Sequence, residues 1–286
     1  MALSLLAPYW YNINKELVMF VFISMLVSIG ILWFMFYLSK QRESTLQRKY
    51  ELLINLRQLL LLGRQHRSIT HHALLSNSRR DTELTEIQDQ LFQKSNQLIA
   101  TAHFDNKPMY RVLQLKLKAL MNEWPERSVA RNQMMHGKTI RHCMFLMDEV
   151  ILAWLVESSR EDLSDEYHIN WQQVIDAMDS LTQLRICIDD MQSQDGRMRL
   201  QHYSDVVRRK MNQLALISPL TIASPSCSSA LHCLGELHDH PAFDISPDRM
   251  YQITTEISLS ISHVYDQMLS DLTESLYQPL PKIAFS

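Results

Sequence analysis

Between residues 17 and 38 the chain reads LVMFVFISMLVSIGILWFMFYL without a charged side chain, and beyond it apolar residues recur every third or fourth position. At 1.5 Å per helical residue the uncharged run crosses a hydrocarbon core of roughly 30 Å, so it predicts a transmembrane helix. Tyr9, Trp10 and Tyr11 before the run, and Trp33 and Tyr37 in its last turns, suit the two aromatic interface belts. A cleaved signal peptide is disfavoured, because no basic segment precedes the run and no small-residue cleavage site follows it. Lys15 alone precedes the span, whereas Lys40, Arg42, Arg48 and Lys49 follow it, and this asymmetry puts the body on the cytoplasmic side of a bacterial inner membrane.

The rest of the pattern is helical. Residues 41–79 predict a long helix continuing from the span, with Leu53, Leu56, Leu60, Gly63, Arg67, Thr70 and Leu74 at the alternating spacings of a packed seam. Further helices are predicted at Leu84–Ala102, Met109–Trp124, roughly Glu126–Ser158, Trp171–Met191 and Met198–Ile217. FDNKP (104–108) is a turn, SSREDLSDEYHIN (158–170) a polar loop, and Asp195-Gly196 the close of the Trp171 helix. A short helix near 230–238 and a loop over 239–247 precede a final helix from Pro247 to about Tyr277, with Ser246 as its cap. The organisation is a tail (1–16), the span (17–38), a juxtamembrane helix (39–52), the first part of a helical body (53–217), a Pro/Ser-rich linker (218–229), closing helices (230–277) and a tail (278–286).

Composition supports an all-α antiparallel helical bundle: among 286 residues there are 5 glycines and 16 methionines, poor material for turn-rich β architecture. A formal charge of -3 and a pI near 6.5 offer no broad basic surface for nucleic acid. The four cysteines read as ordinary reduced thiols.

Little in the chain resembles catalytic chemistry. There is no Gly-rich phosphate loop, nucleophile elbow or H-E-x-x-H motif, so neither enzyme nor cofactor is expected. His136-Gly137-Lys138 is a faint phosphotransfer-like match without an acidic neighbour. Cys227, Cys233, His238 and His240 carry zinc-ligand types at a spacing no familiar finger uses. The arginines stand out. Arg67 falls on the apolar seam, Arg64 lies one turn earlier on its edge, and Arg185 sits between Leu181 and Ile188 on another helix's apolar face. A buried guanidinium keeps its proton and needs a partner. That partner is either a protein carboxylate such as Asp148 or Asp176, or a small bound anion matched to the planar donors.

The segment 56–75, with His66-Arg67-Ser68-Ile69-Thr70, resembles the first core helix of the nitrate- and nitrite-sensing (NIT) domain family. Leu181-Thr182-Gln183-Leu184-Arg185 with Ile188, His202-Tyr203, Val206 and Val207 is similar to the family's second half. Ser246 to Ile257 is similar to its late serine, aromatic and threonine helix. The resemblance runs from about 45 to 277. It implies two packed four-helix bundles with a nitrate or nitrite site between long helices, Arg67 and Arg185 matching the family's two arginines; Arg64 stands near the first motif. Ser68 replaces the pattern's glycine and is expected to narrow the space there, and Gln65 stands where a second basic residue is common.

The expectation is therefore a single-pass, membrane-anchored sensor of a small oxyanion. No kinase, cyclase or methyl-accepting region follows the helices, so signal transduction is expected through an unidentified signalling or assembly protein, or through a second copy in a homodimer. The competing expectation is a non-sensing helical scaffold of a membrane complex that keeps the fold but not the ligand site.

Overall fold

The computed structural model describes residues 7–76, 81–239, 245–276 and 280–281. The end of the long helix expected to 79, most of the loop at 239–247, His240 and nearly all of the two terminal tails' extremes, 1–6 and 282–286, lie outside the described residues. Among the described residues the protein is all-α, with nine helices, short 3-10 turns and no strand. The helices are α1 (Ala7–Ser76), α2 (Asp81–Thr101), α3 (Lys107–Glu123), α4 (Val129–Glu157), α5 (Ser164–Ile188), α6 (Gln194–Leu214), α7 (Pro219–Ile222), α8 (Pro225–Asp239) and α9 (Pro247–Ser275).

The chain divides into two compact units, Met1–Gln47 and Arg48–Ser286. The first contains the only described helix stretch long and apolar enough to cross a membrane; its most apolar window has a mean hydropathy of 2.4 and no buried residue. Every side chain from Met19 to Leu38 is exposed.

The second unit is ordered by the seams read from the sequence. Leu53 and Leu56 on α1, Met144, Met147, Ile151 and Trp154 on α4, and Leu181, Leu184 and Ile188 on α5 are at most 1% exposed. Each such side chain contributes about 1.5–3 kcal/mol by leaving water. Cross-helix hydrogen bonds fix the directions. Along α1 and α4, Lys49 Nζ meets Ala153 O, Cys143 Sγ meets Leu56 O, and Asn132 Nδ2 meets Thr70 Oγ1, an antiparallel register. Between α4 and α5, Arg141 meets Asp179 and the Ala130 amide meets Asp189, again antiparallel. α9 runs antiparallel to both remaining neighbours: to α5 through Arg185–Thr254 and Tyr251–Asp189, and to α1 through Arg57–Asp266 and Arg67–Ser258. Four helices thus alternate in direction around a common interior. α6 packs on α5 and α8, and α2 and α3 pair with each other, α3 also touching α4.

Helix starts obey capping chemistry: the hydroxyls of Ser128, Ser193 and Ser246 accept from the amides of Arg131, Gly196 and Arg249. The Ser246–Pro247 start of the last helix is as the sequence predicts. Three expectations change. Asp195-Gly196 opens α6 instead of closing α5, because Ser193 is the cap; a Cβ on Gly196 would lie 1.8 Å from Asp190 O, so this first turn requires glycine. The stretch 158–170 is half helix, since α5 starts at Ser164 and buries Tyr167 to 3% exposure. The stretch 218–229, expected as a linker, holds α7 and the start of α8, with Cys227 fully buried.

Candidate anion site

Arg64, Arg67 and Arg185, the three arginines singled out in the sequence, line one cavity of about 650 Å³. It opens between α1 and α9 and is floored by α4 and α5, the latter two supplying Gln133 and Arg185. Each arginine reaches it for a local reason. Arg64 and Arg67 are one turn apart on α1 and so share a face. Arg185 occupies an apolar-stripe position of α5, between Leu181 and Ile188, both 1% exposed.

All three are buried, at 8%, 8% and 4% exposure. Arg185 is held by Thr254, its Nε donating to Oγ1 at 3.1 Å and its Nη2 to the carbonyl at 2.8 Å. Arg67 Nη2 donates to Ser258 Oγ at 3.1 Å. Arg64 has only the Met178 sulfur, 3.8 Å from Nη2, while its Nε and Nη1 have no hydrogen-bond partner. Among the described residues none of the three makes an ion pair with a carboxylate. The two carboxylates weighed for that role are elsewhere: Asp176 pairs with Lys210 at 3.0 Å and accepts from Gln172, and Asp148 interacts with Tyr167.

The electrostatic cost is visible in each group. Burial, then the neighbouring Arg67, lowers Arg64 to about 9. Burial lowers Arg67 to about 10. Arg185 is pushed well down by burial, then by Arg67 and Arg64. Guanidinium groups remain cationic at neutral pH, so three positive charges share an interior that lacks a built-in counter-charge at their heads. Such a constellation can hold a carboxylate, nitrate or other planar oxyanion through charge-assisted, bidentate donors.

Two residues were passed over in the sequence. His71 is 6% exposed in the cavity wall with neither ring nitrogen hydrogen-bonded. Burial, then His72, Arg185 and Arg67, lowers it to about 4, so it is a neutral imidazole able to donate or accept. Its ring centroid is 4.1 Å from that of Tyr251, whose hydroxyl is tied to Asp189 at 2.8 Å. Gln133, 5% exposed, brings an unpartnered Oε1. Adjacency to the arginine motif was the one available signal for His71; nothing local marked Gln133. Ser68 does not narrow the interior as expected, because it is exposed and lies on the lip of the cavity.

Behind this wall His66 and His136 form a second polar cluster, both 0% exposed. His136 Nδ1 lies 2.8 Å from Asn132 O, which can only accept, so Nδ1 carries the proton and Nε2 is a bare acceptor. His66 Nδ1, 2.9 Å from that Nε2, is then the donor, and its own Nε2 accepts from Gln88 Nε2 at 3.2 Å. A buried, hydrogen-bonded His136 is not presented for phosphotransfer. Among the described residues no group of three or more His, Cys, Asp or Glu side chains is placed to hold a metal ion; His240 lies outside them. Comparison of the chain with known families, with curated proteins and with solved structures finds no match.

Proposed function

We propose that the chain is a membrane-anchored sensory protein, an NIT-like pair of helical bundles in which a small oxyanion of the nitrate and nitrite class binds Arg64, Arg67 and Arg185. The observation that carries this reading is Arg64: a guanidinium 8% exposed, with two unpartnered donor nitrogens, facing two further arginines and no carboxylate partner. An anion supplies the missing charge. It bridges α1, which carries Arg64 and Arg67, to α5, which carries Arg185, and weakens the repulsion that otherwise separates them.

The same helix α1 also carries the apolar stretch, so a shift of α1 against α5 and α9 is the natural carrier of a signal to a partner protein or a second copy. Ligand drives that shift only by binding one arrangement more tightly than the other, and the three cations supply the difference. The bacterial inner membrane, with the body cytoplasmic, is the location that the flanking cations support.

Calorimetric titration of the full chain in detergent with sodium nitrate and sodium nitrite, against sodium chloride, tests the reading. Binding that is lost in Arg64→Leu and Arg185→Leu is the expected result. Absence of heat at millimolar nitrate and nitrite removes these two ions as ligands and favours the scaffold reading. Undiminished binding in both variants moves the site elsewhere.

A further inference from the structure

The cavity is too large and too asymmetric to be furnished for an inorganic anion alone. Nitrate has four non-hydrogen atoms and fills roughly 60 Å³, about twice a water molecule's share of liquid volume. The cavity offers about 650 Å³, a volume in the range of sites for organic ligands. Its charge is also divided. The arginines and His71 are buried, whereas on the α9 side Glu256 is half-buried and Asp248 exposed, and no lysine lines any part of it. Leu61, Leu75 and Leu259 add apolar wall.

We propose that the cavity binds an organic amino carboxylate, its carboxylate group on Arg64, Arg67 and Arg185 and its ammonium group against Glu256 and Asp248. This rests on the reading of the arginine floor as an anion site and names the rest of the molecule that the site takes; nitrate then fills only the floor. The arrangement is self-consistent on three counts. Arg64 Nε and Nη1 are the unpartnered donors that a carboxylate requires. Glu256 lies half-buried, its carboxylate accepting, among the described residues, from Gln252 Nε2 at 3.2 Å on the same helix, and keeps acceptor capacity for a cation. The antiparallel register set by Arg67–Ser258 places Glu256 beside the arginine level, with Asp248 about 12 Å further along α9 at roughly 1.5 Å per residue. A short amino carboxylate therefore reaches Glu256, and only a longer one approaches Asp248. The unpaired His71 ring nitrogens stand ready for a second polar group on the ligand.

The test is a ladder of probes on the full chain in detergent, read by calorimetry and by competition with nitrate. Glycine, 4-aminobutyrate and 6-aminohexanoate are compared with acetate, butyrate and hexanoate, which have the same chain lengths without the amine. The expected result is that at least one amine-bearing probe binds about tenfold or more tightly than its amine-free counterpart, the gain of a charge-assisted contact. Glu256→Gln, or Asp248→Asn for the longest probe, should erase that gain without weakening the binding of nitrate or of the amine-free acid. Asp248 is exposed and Glu256 half-buried, and both changes keep the side chain's shape, so folding is preserved. Nitrate binding with no gain from any amine overturns the amino carboxylate and leaves the oxyanion reading standing. An amine gain that survives both variants overturns the assigned pole. No binding of nitrate, nitrite or any carboxylate overturns both readings together.

Discussion

Arg57 and Arg64 are two turns apart on the same helix, equally sunk in the interior, and opposite in how their charge is met. Arg57, 4% exposed, donates to Asp266 from Nε at 2.8 Å and from Nη2, and to Pro281 O from Nη1 at 3.1 Å. Among the described residues Arg64, 8% exposed, has a methionine sulfur as its one hydrogen-bond partner. Burying a guanidinium costs several kcal/mol, and at Arg57 the chain supplies the compensating carboxylate from α9. At Arg64, seven residues further along α1, α9 offers Ser258 and Thr254 to the neighbouring arginines, and among the described residues no carboxylate forms an ion pair with Arg64. The difference separates a cation compensated within the fold from one that the fold leaves without an ion pair. It also explains why the two cannot be told apart by burial alone.

The largest expected effect comes from taking away the partner that Arg57 has. Asp266→Leu leaves a buried cation uncompensated and should cost about 3 kcal/mol, at the lower end for a buried pair because Asp266 is 23% exposed. For a body of this size that is a fall of roughly 6–12 °C in melting temperature of the full chain in detergent. An unchanged melting temperature would make Arg57 as free of need for a partner as Arg64, and the contrast would collapse.

Arg64→Leu should do the reverse. Removing an unpaired charge in favour of an apolar side chain of lesser bulk is expected to leave stability in anion-free buffer unchanged or raise it by about 1–2 kcal/mol. The same variant should lose the stabilisation by ligand, which in the native chain amounts to about 2.7 kcal/mol at a ligand concentration a hundred times Kd. Melting curves with and without saturating anion measure both quantities. A strongly destabilised Arg64→Leu whose ligand response persists would mean that Arg64, like Arg57, is a structural group.

The sequence carried part of this contrast. The three-four alternation along residues 53–74 made the seam of α1 legible, and Arg67 and Arg185 could be picked out because a cation at an apolar-stripe position breaks the pattern that burial imposes. Arg57 breaks the same stripe and was not singled out, since pairing with Asp266 depends on the register of a helix some two hundred positions away. The polar start of α5 was read as a loop because Asp165, Glu166 and His168 hide the buried Tyr167. At Asp195-Gly196, turn chemistry and helix-start chemistry use the same residues, and the cap at Ser193 decides between them. The acidic wall of the cavity was illegible for a further reason: Asp248 and Glu256 are ordinary surface residues of an amphipathic helix until α1 is laid beside them.

Acid acts on His71 in the cavity wall. His71 has its folded-state value lowered to about 4 by burial, then by His72, Arg185 and Arg67, whereas in the unfolded chain it titrates near 6.5. The unfolded state therefore binds more protons between these values. The stability contributed by the neutral imidazole is full above pH 6.5 and is lost as pH falls from there through about 4, at up to about 1 kcal/mol per pH unit. An anion on the arginines favours protonated His71 and uptakes a proton on binding. Its affinity should then rise as pH drops from 7 to 5, by up to about tenfold, and the rise should be absent in His71→Gln. Titration calorimetry at the two pH values reads this directly; a flat affinity in the native chain would place the anion away from His71.

The smallest effect is a control one residue from Arg64. Gly63 is buried in mid-helix, and a Cβ there would meet only Ile140 Cγ1 of α4, at an ordinary 3.9 Å. Gly63→Ala should stabilise the protein by about 0.5–1 kcal/mol through helix propensity, read as a rise of roughly 1–4 °C. Because that Cβ faces α4 and Gly63 does not line the cavity, the rise should be equal with and without anion. Gly137 on α4 makes the converse case: its added Cβ would press on Thr182 Cγ2 at 3.1 Å, so the neighbour must give way and the propensity gain is offset. If Gly63→Ala changed the response to anion as Arg64→Leu does, the special property would belong to this turn of α1 as a whole, and the unpaired guanidinium would no longer be what distinguishes Arg64 from Arg57.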